Sequence, residues 1–94
     1  MMMKQPTRRH ILLGVHVTDR LIHADQVQKL LTQYGHLIKT RLGLHETSDP
    51  GCAPNGLLLL ELLDHDDEKN ELARKLSAIT GVEVKEMVFD HAVS

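Results

Sequence analysis

One stretch restricts the fold more than any other: GLLLLELLDH, from Gly56 to His65, in which Glu61 is the only polar residue before Asp64. A run this apolar and this short cannot span a bilayer. It reads as a central β-strand covered on both faces. Such a strand needs neighbours on either side and layers above and below, and the rest of the chain must supply them.

The remaining patterns do so in a definite order. In RRHILLGVHV (Arg8 to Val17), Ile11, Leu13, Val15 and Val17 fall on one side and His10, Leu12, Gly14 and His16 on the other. That alternation marks a strand. Thr18 and Asp19 supply capping side chains. Val27, Leu30, Leu31 and Tyr34 follow at helical spacing, and Gly35 is expected to stop the helix in a left-handed conformation. HLIKTRLGLH (His36 to His45) alternates again, with Ile38, Leu42 and Leu44 expected on one face and Lys39, Arg41, Gly43 and His45 on the other. After the leucine strand, Asp66 and Asp67 open a second helix, where carboxylates suit the positive end of the dipole. Leu72, Leu76 and Ile79 form its buried stripe, Gly81 closes it, and VEVKEMVF (Val82 to Phe89) is the last strand.

The order β-α-β-β-α-β predicts a ferredoxin-like α+β sandwich: a four-stranded antiparallel sheet with two helices on one face, and strands one and three in the centre. Residues 1–7 read as a solvated tail, 8–90 as one domain and 91–94 as a frayed C-terminus. At 94 residues the chain suits one small domain with a thin stability margin. Aromatics are 2 % of it and the formal net charge is −2, which argues against base stacking and phosphate binding. No nucleic-acid or membrane partner is expected. Cys52 is the only cysteine, so no intrachain disulfide can form, and a soluble cytoplasmic protein is expected.

Two helices on one face leave the other face bare. Leu12, Gly14, Leu57, Leu59 and Leu63 are expected there, with Glu61 among them needing a partner such as His16, His10 or Arg41. A patch of that kind predicts self-association into a dimer or a tetramer of dimers.

The strings VTDRLIHADQVQKLL, IKTRLGL, GLLLLELLDHDD and ITGVEVKEMV together resemble the iron-only hydrogenase system regulators, a family with an ACT-like, ferredoxin-like fold. The resemblance covers most of Arg8 to Phe89 and carries no catalytic signature. It implies a non-enzymatic regulator linked to a metalloenzyme system. Its fold is similar to ACT domains, which bind small effectors at subunit interfaces, commonly at the turn from strand one to helix one. Here that turn is Thr18, Asp19 and Arg20. The fold is also similar to the C-terminal domain of the nickel-responsive repressor, which holds nickel between subunits with histidines and a cysteine. His45 and Cys52 stand in that order, but Gly43 occupies the place of one histidine and the spacing to the cysteine differs. His16 is a further candidate ligand from a neighbouring strand. A thiolate with imidazoles suits a transition metal, yet no C-x-x-C or H-x-x-x-H spacing occurs. The loop HETSDPGCAPNG reads as turn chemistry. No nucleophile motif, P-loop or dinucleotide fingerprint is present, so no enzyme is expected.

The leading expectation is therefore a regulatory or sensory module that binds a small effector between subunits. A metal sensor built on His45 and Cys52, and a module that binds a foreign protein through its sheet, are the alternatives.

Overall fold

The computed structural model describes residues 7–18, 20–44 and 56–92. The elements are β1 (Thr7–Val17), α1 (Arg20–Gln33), a 3-10 turn (Gly35–Leu37), β2 (Ile38–Leu44), β3 (Gly56–Leu62), α2 (Asp66–Ser77) and β4 (Val82–Ala92). The strands form one antiparallel sheet in the order β2-β3-β1-β4. This is the ferredoxin-like βαββαβ topology read from the sequence, with the two most apolar strands in the centre.

One sheet face packs against both helices. Ile11, Leu13, Val15 and Val17 of β1 and Leu60 and Leu62 of β3 are buried against Val27 and Leu31 of α1, Tyr34 just after it, and Leu72 and Leu76 of α2. Leu37 of the 3-10 turn is buried in the same cluster. The core is almost wholly aliphatic, as the shortage of aromatics requires.

Lys69 of α2 is buried as well, with 8 % of its side chain exposed. A buried ammonium is tolerated only with a counter-charge. Glu86 on β4 supplies it at 2.9 Å, and Asp66 lies 3.8 Å away. At the same end of the sheet, the Arg9 guanidinium donates to Asp64 at 2.5 Å and also to Asp66. These contacts tie the start of β1 to the first turn of α2, where Asp66, Asp67 and Glu68 sit as expected.

Three local expectations need correction. The first concerns β2. Ile38 pairs with Leu62 on the helix side, but the register shifts before Thr40, which pairs with Glu61. The extra residue, Lys39, is a β-bulge, and a bulge reverses the parity of everything after it. Leu42 therefore lies on the opposite face from Ile38, paired with Leu59, and Leu44 pairs with Leu57. The second concerns glycine. Among the described residues only Gly81, with φ of 84°, takes the left-handed conformation. Gly35 instead starts the 3-10 turn, which carries the chain on to Leu37. The third is the chain end: β4 runs past Phe89 because Thr7 and Arg8 pair with Ala92 and His91.

Candidate functional site: the bare face of the sheet

The strand alternation that buries Ile11, Leu13 and Val15 sends Leu12, Gly14 and His16 to the side without helices. Residues opposite one another in an antiparallel pair share a face. Leu12 pairs with Glu61 and Met87, Gly14 with Leu59 and Lys85, and His16 with Leu57 and Glu83. Leu42 extends the row of Leu59, and Phe89 lies opposite His10. The apolar members are open to solvent: Leu57 38 %, Leu59 40 %, Leu63 38 %, Leu42 52 %, Met87 55 % and Phe89 52 %. Leu12 and Gly14 are half-buried between them.

Glu61 stands in the middle of this surface with 26 % of its side chain exposed. Lys39 approaches one carboxylate oxygen at 3.5 Å and His10 Nδ1 at 3.7 Å, while the Thr40 hydroxyl donates to the other at 3.4 Å. Partial burial pushes the Glu61 carboxyl up. The Lys39 ammonium, with hydrogen bonds from Lys39, His10 and Thr40, outweighs this and holds it below its ordinary value. The bulge is what makes this arrangement: it sets two consecutive residues of β2 against one of β3, so both reach Glu61. His10 is thus one of the partners expected from sequence. Arg41 is not, since its guanidinium donates to Gln28 of α1 at 2.9 Å.

The other sequence candidates fall elsewhere. Thr18 is exposed, and its backbone N–H donates to the carbonyl of Gly81 at 2.7 Å. That donor is already committed and does not face an incoming anion. Arg20 is the first residue of α1. Asp19, His45 and Cys52 lie outside the described residues. His16 lies on the bare face between Leu57 and Glu83. Among the described residues, no three His, Cys, Asp or Glu side chains are arranged to hold a metal ion. No described helix is long and apolar enough to cross a membrane.

Sequence reasoning missed Leu42, Met87 and Phe89 as members of this surface. The signal for Met87 and Phe89 was available, because they share parity with Glu83 and Lys85, opposite to Val82 and Val84, which pack on the core. Leu42 gave none, since the bulge before it leaves no compositional mark.

No family model and no curated protein matches the sequence. Solved structures do. An uncharacterized protein from Thermotoga maritima is 28 % identical, covering 89 % of this chain and 99 % of its own, with a TM-score of 0.73. A nitrogen regulatory PII-like protein from Thiomonas intermedia, solved bound to ADP, AMP and bicarbonate, is 14 % identical over 95 % of this chain and 94 % of its own, with a TM-score of 0.55. A formyltetrahydrofolate deformylase from Pseudomonas putida is 13 % identical over 83 % of this chain but only 28 % of its own, with a TM-score of 0.51. The last two likenesses are of fold alone. One fold serves regulator and enzyme, so function must be argued from the surface.

Proposed function

We propose that the chain is a non-enzymatic regulatory or sensory module. Copies of it join through the bare sheet face, and a small effector binds where subunits meet. The carrying observation is the run of half-open leucines around Glu61, because isolated domains rarely leave a contiguous apolar patch uncovered. The fold likeness to a nucleotide-bound PII-like regulator supports the small-ligand part of the reading. The proposed link to an iron-only hydrogenase system rests on the resemblance of those strings alone. Thr18, Asp19 and Arg20 are the proposed effector contacts, with the Thr18 amide excluded because it already donates to Gly81.

Native mass spectrometry of the chain purified from its own host tests this in one measurement. The expected spectrum shows a dimer or tetramer carrying a small-molecule adduct. A ligand-free monomer at every concentration refutes the proposal and turns attention to a foreign protein as the occupant of the face.

A further inference from the structure

We propose that β4 pairs edge to edge with β4 of a second copy, antiparallel and with Met87 opposite Met87, and so joins dimers into a tetramer. The inference rests on the self-association reading above: a lone strand pair is too little to hold two copies, so the bare face must join them first. The two edges of the sheet differ. An open edge invites pairing with another chain, and proteins blunt it with bulges, charge and short strands. β2 is seven residues long, carries the bulge at Lys39 and sets Lys39 and Arg41 along its length. β4 is eleven residues long, contains no proline or glycine, and keeps unbroken register with β1. Among the described residues no strand lies on its outer side. Its exposed apolar residues lie on both faces, Met87 and Phe89 on the bare one and Val88, opposite Ile11, on the helix side. Contact through the bare face leaves Val88 open, whereas a neighbouring strand flanks all three.

The charges along β4 select a second copy as the occupant and fix its register. A two-fold axis normal to the sheet sets each residue opposite one of its own parity, and like charges directly opposite destabilise a strand pair. Centred on Met87, the midpoint of Val82–Ala92, the strands pair end to end. Glu83 then meets His91, Lys85 meets Phe89, Glu86 meets Val88 and Val84 meets Asp90, so no like charges stand opposite. A centre on Glu83, Lys85 or Glu86 sets that residue against itself, and one on Val88 sets Glu86 against Asp90. Centres on Val84 or Phe89 avoid this but pair only residues 82–86 or 86–92. In the Met87 register the nearest like charges are diagonal, Glu86 to the facing Glu86 and Asp90. Glu86 already holds Lys69 at 2.9 Å, and Asp90 stands opposite Arg9 of β1. Two four-stranded sheets become one, with their leucine faces side by side.

Sedimentation velocity of the full chain across a concentration series tests the pairing with wild type, Val88→Glu and Val88→Lys. Val88 is on the helix side, so neither substitution alters the bare face. In the proposed register the first puts a carboxylate opposite Glu86 of the facing copy and the second an ammonium. Wild type should reach a tetramer. Val88→Glu should stop at the dimer, with a dimer–tetramer dissociation constant raised at least ~10-fold. Val88→Lys should stay within about threefold of wild type. In a Cys52→Ser background, Met87→Cys should form an intermolecular disulfide in air and Lys85→Cys should not, because only position 87 faces itself at disulfide distance. The cysteine pair decides alone if Val88→Glu fails to fold. Both Val88 variants tetrameric, both dimeric, or no disulfide at position 87 overturns the proposal. A wild type that stops at the dimer also overturns it, leaving the face reading intact and the edge to a foreign strand. A wild type monomeric at every concentration removes both.

Discussion

The two faces of the sheet are built from the same four strands and largely from the same residue, yet they meet opposite fates. On the helix side, Leu60 and Leu62 are buried. One residue away along the chain, Leu59 and Leu63 remain about 40 % exposed. Charge is handled alike on both. Lys69 is matched by Glu86 beneath α2, and Glu61 is matched by Lys39 on the bare side. A domain that needs only to fold has no reason to neutralise a carboxylate among leucines on its outer surface. The comparison teaches that the bare face keeps its central carboxylate partnered among open leucines, the surface that the proposed self-association would bury.

The sharpest way to break that contrast is to truncate one leucine on each side. Leu60→Ala should lower stability by ~2–5 kcal/mol, because it opens a cavity in a closed core. Leu59→Ala in the dissociated chain should cost less than ~1 kcal/mol. Urea denaturation at low protein concentration measures both, and equal losses would erase the distinction between the faces.

A second test probes how the helix layer is held. A Cβ on Gly81 would lie 2.9 Å from the His23 ring and 3.2 Å from the Thr18 carbonyl, at a positive φ that side chains resist. Gly81→Ala should therefore destabilise by ~1–3 kcal/mol, read as a lowered melting temperature. Gly14 is the counterpart on the bare side: a Cβ there meets only ordinary contacts at 3.9 Å. Gly14→Ala should leave the isolated chain's stability within ~0.5 kcal/mol, so any weakening of assembly would come from the facing copy.

The smallest effect concerns acid. The Arg9 hydrogen bond holds the Asp64 carboxyl below its ordinary value, and Tyr34 followed by Lys75 does the same for Glu71. A depressed carboxyl contributes stability that is complete above its unfolded value and is lost as pH falls through the folded one. Urea midpoints should therefore decline as pH drops below the ordinary carboxylate range, and Asp64→Asn should flatten part of that decline.

Much of this contrast could be read from the sequence because β1 and β3 keep strict parity: Ile11, Leu13 and Val15 against Leu12, Gly14 and His16. The leucine surface and Glu61 followed from that. What could not be read depends on contacts distant in sequence. The Lys39 bulge shows only in the pairing of β2 with β3, and it moved Leu42 to the bare face. The burial of Lys69 left no mark in the sequence, because its counter-charge, Glu86, lies on another element. Gly35 and Gly81 follow their helices in similar settings, but only Gly81 is pressed against His23 and Thr18. The turn from β1 to α1 was legible as a position, while the commitment of the Thr18 amide to Gly81 was not.

The central claim is that the leucine face joins copies of the chain. Sedimentation velocity of wild type and Leu59→Glu, run across a concentration series at about pH 8, tests it most directly. The account predicts a concentration-dependent oligomer for wild type and a folded monomer for Leu59→Glu. An assembly that survives a carboxylate in the middle of that face would contradict it.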